Sequence, residues 1–214
     1  MFLEYDIVSI DIDEVLQQCC GSALDKHFTS LALRLVSNSE TVKALGPLSV
    51  SSVACPEEQS RIVDVIAKHG FGGAYLTPTF GAKGARNKPA AVARALAELA
   101  CVMRGSFDVD ASTEEKQTFL ETRGPARLGP RLVFTSLLSL RRHGLASYDH
   151  LVVCRGALKG LKWLDGSVTP ENAEEKARVL YDAIPTSWKD GSAFDSKKFS
   201  VSAYPKHSQQ TKRS

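Results

Sequence analysis

The ten residues IVSIDIDEVL, Ile7 to Leu16, decide how this chain is read. On one reading the apolar run leads into Asp11-x-Asp13 as a strand over Asp6–Ile12, in an α/β sandwich whose other strands would be Ala74–Thr77 and Leu151–Cys154. The residues that follow argue for a different period. Leu16, Cys20, Leu24, Phe28, Leu31 and Leu35 recur at steps of three and four, the spacing of one helix face. On this reading Asp13 is the N-cap of a helix, accepting N–H bonds from the first turn, and Glu14 adds favourable charge at the positive end of the helix dipole. Residues 1–12 are then an extended N-terminal arm. Gly21 falls inside the helix, costs up to about 1 kcal/mol relative to Ala, and marks a bend or a close contact.

Working outward, most later segments announce their ends. Pro56-Glu57-Glu58 opens a helix with Ile62, Val65 and Ile66 on one face and Gly70 at its C-terminus. Gly70 to Gly84 is a glycine-rich loop containing Pro78. Pro89 starts an alanine-rich helix carrying Val92, Leu96, Leu99 and Met103 and ending at Gly105. Ser112 and Glu115 form a capping box, Pro130 opens a helix that ends at Gly144, Ser147 caps the next, and Thr169-Pro170-Glu171 starts the last. The spacing predicts an all-α, two-lobed domain of about seven or eight helices over 13–184. From Pro185 onward the chain is rich in Ser and Lys and without period, which reads as an irregular basic tail over 185–214.

The chain has 214 residues, of which 43% are hydrophobic, enough for one core. The start MFLEYD and the shortness of every apolar run give no leader peptide and no membrane span. The expectation is a soluble intracellular protein, cytoplasmic or within a nucleoprotein particle. Cysteines 19, 20, 55, 101 and 154 are an odd set without a Cys-x-x-Cys and read as reduced and mostly buried.

Asp11-x-Asp13 after an apolar run resembles the first motif of the haloacid dehalogenase-like phosphohydrolases. The resemblance implies a magnesium-dependent phosphohydrolase with Asp11 as nucleophile and Asp13 as acid/base. It further implies a Ser or Thr after a second strand, for which Thr77 stands, and a Lys, for which Lys159 or Lys162 stands. It also implies a late acidic pair, and after Gly144 no apolar strand ends in two acids, Leu151–Cys154 running into Arg155. Phe107–Thr113, FDVDAST, repeats the outline but reads as a loop and capping box. His150 and Cys154 have the spacing of two metal ligands on one helix face, but no second pair accompanies them. No phosphate-binding loop, nucleophile elbow or dinucleotide fingerprint is present, so no catalytic residue, metal or cofactor is expected.

Charge is the strongest remaining signal. Met1 to His27 carries a balance of −5, Ala82 to Ser106 +4, and Arg123 to Trp163 +7 with Asp149 as its lone acid, although the whole chain is only +3. Ordinary surfaces intersperse both signs, and such segregation points to a polyanionic partner. The candidate contacts are Lys83, Arg86, Lys88, Arg94, Arg123, Arg127, Arg131, Arg141, Arg142, Arg155, Lys159 and Lys162. Phe134 and Trp163 have apolar neighbours, so no stacking platform is evident and backbone-tracking, sequence-independent binding is expected. The sequence thus predicts a protein that binds single-stranded nucleic acid, RNA in particular. It would oligomerise along the strand through its arm and tail, like a nucleocapsid or filament coat.

Overall fold

The computed structural model describes residues 7–72, 85–125, 128–147, 152–153 and 155–183. Among them every regular element is helical, and the chain divides into two compact units, residues 1–154 and 155–214. Within the first unit run α1 (Ile7–Gln18), α2 (Ala23–Val36), α3 (Ser39–Leu45), α4 (Pro56–His69), α5 (Lys88–Ser106), α6 (Thr113–Arg123) and α7 (Pro130–Leu140). Short 3₁₀ turns occupy Ser52–Ala54 and Arg141–His143. The second unit holds α8 (Arg155–Leu164) and α9 (Ala173–Ala183).

Ile7 to Leu16 is helix from its first residue, so the expected arm is corrected over residues 7–12; residues 1–6 lie outside the described residues. Exposure shows the period. On a strand Ile10 and Ile12 would share a face, yet Ile10 is 43% exposed and Ile12 is 0% exposed. Ile12, Val15, Leu16 and Cys19 instead form one buried stripe against α2 and α3. Asp13 is therefore no N-cap. The helix predicted to run unbroken from Leu16 to Leu35 is two helices, interrupted at Cys19–Ser22. Ser22 caps α2: the Asp25 N–H donates to Ser22 Oγ at 3.2 Å and the Ser22 N–H donates back to Asp25 Oδ2 at 3.1 Å. Gly21 sits in the break, where a Cβ would come within 2.8 Å of the Asp25 side chain.

α2 is the centre of the unit. His27 to Val36 is buried without interruption, and α1, α3, α5 and α7 all pack on it. A helix covered on every side must satisfy its polar side chains internally. Thr29 Oγ1 donates to the Leu48 carbonyl at 2.8 Å and accepts from the Leu48 N–H at 3.0 Å, and Ser30 Oγ donates to the Ser136 carbonyl at 2.7 Å. α3, which the sequence reading did not anticipate, is capped by Asn38 and ends at Gly46 with φ +63°. Its Thr41 hydroxyl donates to the Gly70 carbonyl, joining it to the end of α4. α4 and α5 pack closely over the small side chains of α5, of which Ala93, Ala95 and Ala100 are buried.

The proline starts of α4, α5 and α7 and the reciprocal capping box of α6 fall where the sequence places them. Two later starts do not. Val152 and Val153 are not helical and α8 begins at Arg155, so the helix expected from Ser147 is not continuous; Leu151 and Cys154 lie outside the described residues. α9 begins at Ala173, after a turn over Thr169–Asn172 in which the Thr169 N–H donates to Asn172 Oδ1 at 2.7 Å. Of the four described cysteines only Cys19 is buried; Cys20, Cys55 and Cys101 are exposed, against expectation, and all four are free thiols. No helix among the described residues is long and apolar enough to cross a membrane.

Candidate functional site: surface cations and the Asp13 cluster

The predicted cations fall into separate groups. Arg86, Lys88 and Arg94 lie at the entry and along the first turns of α5, and all three are exposed. Arg123 closes α6 and Arg131 opens α7, on either side of the connector 124–129, and both are exposed. Arg141, half-buried, and Arg142, exposed, stand at the other end of α7, roughly 15 Å from Arg131 along the helix axis. Lys159 and Lys162 are exposed on α8 in the second unit, where Arg155 is the first helical residue. Lys83 and Arg127 lie outside the described residues.

Pairing separates these residues further. Arg142 is engaged internally: its Nη1 donates to Asp13 Oδ2 at 3.3 Å. Among the described residues Arg86, Lys88, Arg94, Arg123 and Lys159 make no ion pair, so five of the predicted contacts present an uncompensated charge to solvent.

The two aspartates that resemble a nucleophile loop point apart. Two positions on a helix are separated by roughly 200° about its axis. Asp11, buried, accepts from the Lys43 ammonium on α3 at 2.9 Å, and its Oδ2 has no partner. Asp13 turns instead to the end of α7. His143 Nε2 lies 3.0 Å from Asp13 Oδ1, and because a carboxylate only accepts, that nitrogen carries the proton. Gln17 Nε2 donates to Oδ2 at 3.2 Å. With donors on opposite sides of α1, the carboxylates do not converge on one phosphorus or one cation, and no group of three or more acids, His or Cys placed to hold a metal ion occurs among the described residues. The Asp-x-Asp outline is thus two structural anchors, one to α3 and one to the α7 terminus.

Beside Asp13 is a cavity of about 30 Å³, lined among others by Ser9, Arg34, Thr135, Ser139 and Arg142. The buried Arg34 guanidinium donates from Nη2 to Ser9 Oγ at 2.5 Å and to Ser139 Oγ at 3.1 Å. Its size suits a single water, not a substrate. The pairings of Arg34 with Ser139 and of Asp13 with His143 were not legible, since each joins residues more than a hundred positions apart in the chain.

A second buried polar group lies at the far end of α2's buried run. His27 Nδ1 lies 2.9 Å from the Ala23 carbonyl, Nε2 has no partner, and the ring sits 5.2 Å from that of Phe107. Burial pushes its pKa down to about 4, and the nearby Lys116 ammonium, whose Nζ donates to the Leu145 carbonyl, pushes the same way. His27 is a neutral core residue, not a general base held near pH 7.

Trp163 departs from expectation. It is 90% exposed, the largest apolar side chain so placed among the described residues, whereas Phe134 is half-buried as its neighbours suggest. Neither Asp-x-Asp nor the small cavity offers a reaction centre, and what the surface does offer is cationic and aromatic. No kinship narrows this further, for the chain matches no protein-family model, no curated protein and no solved structure.

Proposed function

We propose that this protein binds single-stranded nucleic acid, RNA in particular, through the phosphate backbone and without regard to base sequence. The observation that carries the reading is the set of exposed cations that make no ion pair among the described residues, Arg86, Lys88, Arg94, Arg123 and Lys159. Arg86, Lys88 and Arg94 stand together at the start of α5, where like charges repel one another, and a polyanion removes that repulsion while releasing its own counterions. The dispersal of the five cations over α5, the end of α6 and α8 favours a strand that tracks the surface over a rigid duplex seated in one groove. We further propose that copies associate along the strand in the manner of a nucleocapsid or filament coat. With Asp11 and Asp13 engaged inside the chain, such contacts fall mainly to the C-terminal run that carries Trp188, Phe194, Phe199 and Tyr204.

Filter binding of a 20-nucleotide oligouridylate and a 20-base-pair duplex, at 50 and 200 mM salt, tests the binding. The single strand is expected to bind more tightly, with an affinity that falls steeply with salt. No retention of either probe at 50 mM salt refutes the proposal. A particle that stays monomeric on gel filtration with a long single strand refutes the assembly half alone.

A further inference from the structure

Resting on that reading, we infer that the outer face of α8 is a stacking site for an unpaired base, with the base on the Trp163 indole and an adjacent phosphate on Lys159. α8 is RGALKGLKWL. At 100° per residue, Lys162, Lys159, Trp163 and Gly160 occupy one arc of about 160°, and Leu158 and Leu161 lie on the other side. The burial pattern agrees: the two leucines are half-buried on a helix that packs with α9, while all four residues of the arc are exposed.

Trp163 and Lys159 are four apart and therefore neighbours on the helix surface. Side chains on a helix lean toward its N-terminus, so the position that would cover the indole from below is Gly160. There an added Cβ would meet nothing within 4 Å. The ring is thus left open on the Gly160 side, where a side chain longer than that of Ala would reach toward it. An exposed indole beside an unpaired ammonium has the two elements that single-strand recognition needs, a sequence-tolerant π-face and a phosphate contact. Lys162 contributes less, because its charge is shared with Glu171. The Glu171 carboxyl is held below its ordinary value by the Thr169 hydroxyl, by a backbone N–H and in part by Lys162.

A bilayer fits the arc poorly. Acyl chains would take the apolar side of α8, and that side is turned from solvent, whereas inserting the exposed arc would bury Lys159. Exposed Leu164, Val179 and Leu180 make the bilayer worth an arm of the test nonetheless.

The probe is a 12-nucleotide oligouridylate, and the reporter is the full-length chain with its other tryptophan replaced, Trp188→Phe, so that emission comes from Trp163 alone. Saturating oligonucleotide is expected to quench that emission. Trp163→Ala is expected to weaken binding by about 5- to 150-fold with the salt slope unchanged. Gly160→Leu keeps both the indole and the ammonium, improves helix propensity, and is expected to weaken binding comparably by covering the ring. Lys159→Gln should instead lower the slope of log affinity against log salt by about 0.7. Wild-type affinity in helical Trp163→Ala and Gly160→Leu chains, with Trp163 emission unmoved by the oligonucleotide, overturns the stacking site and leaves the proposed function standing. Failure of the unaltered chain to bind the probe overturns both. Trp163 emission that responds to phosphatidylserine vesicles and not to the oligonucleotide overturns the site in favour of a membrane surface.

Discussion

Neutralising four cations of the first unit together, Arg86→Gln, Lys88→Gln, Arg94→Gln and Arg123→Gln, addresses the proposed function most directly. All four are exposed and make no ion pair among the described residues, so their removal strands no buried partner there. For a single strand, each lost phosphate contact lowers the slope of log affinity against log salt by roughly 0.7, so four contacts lower it by about 3. Because the electrostatic term vanishes near 1 M salt, the same arithmetic gives an affinity loss of about 600-fold at 0.1 M and about 90-fold at 0.2 M. Stability should change little, since exposed substitutions typically cost about 0.5 kcal/mol or less each. Two local effects partly cancel. Lys88 is the first residue of α5, where a cation opposes the helix dipole, and Arg123 is the last of α6, where a cation favours it. The assay is fluorescence anisotropy of a labelled oligouridylate over 50–300 mM salt, with helicity and unfolding midpoint followed in parallel. A folded quadruple variant with the wild-type slope would mean that these cations are a solvated surface and that the reading from charge is wrong.

Other outcomes follow from the interior. Asp13→Ala leaves Arg142, His143 and Gln17 without their common acceptor and should cost about 1–3 kcal/mol in urea unfolding. Asp11→Ala should cost less, since half of that carboxylate is buried without a partner, and the reverse order would contradict the two-anchor account. Gly72→Ala should destabilise by about 2 kcal/mol or more, because its Cβ would stand 1.8 Å from the Ser37 carbonyl oxygen where the Gly72 N–H donates to Val36. Gly105→Ala, which meets nothing within 4 Å on α5, should be neutral or mildly stabilising, and thermal melts of the pair decide. His27, with its pKa lowered from 6.5 to about 4, binds a proton more readily unfolded than folded, so its contribution is whole above pH 6.5 and lost as the pH falls toward 4. That loss is about 3 kcal/mol, and His27→Gln should flatten the dependence of unfolding midpoint on pH between 6.5 and 4; an unflattened profile would refute the assignment.

Where the chain marks its own helix ends, the fold was legible before any coordinates. Pro56, Pro89, Ser112 with Glu115, and Pro130 each place a start to within a residue. α1 was misread for a physical reason: its first turn carries no acid, so the first helix-like signal read along the chain was Asp13, the seventh residue of the helix. The break before α2 was hidden because the apolar spacing stays in phase across it, Leu16 and Phe28 being buried on either side. The signal for that break was present in Ser22 and Asp25, three apart as a capping box requires. α3 is only seven residues long, too short for periodicity to register, and its boundary residues Asn38 and Gly46 were the sole clues.

The candidate surface divides in the same way between what is counted and what must be folded to be seen. A tally of charges along the chain finds the excess of cations but not which of them are already matched. Arg142 meets Asp13 across 129 residues, a pairing that no local window contains, and it turns one presumed phosphate contact into a strut between α1 and the end of α7. Trp163 shows the opposite failure. Leu161 and Leu164 near it suggested a buried ring, yet Trp163 stands two positions from Leu161, roughly 200° around the helix, and four from Lys159, which is on its own side. Neighbours in sequence are not neighbours on a helix, so the period that identified α8 as amphipathic already assigned its tryptophan to the side of the lysines. What the period could not supply is the degree of burial: Leu158 and Leu161 are half-buried while Lys159, Gly160, Lys162 and Trp163 are exposed.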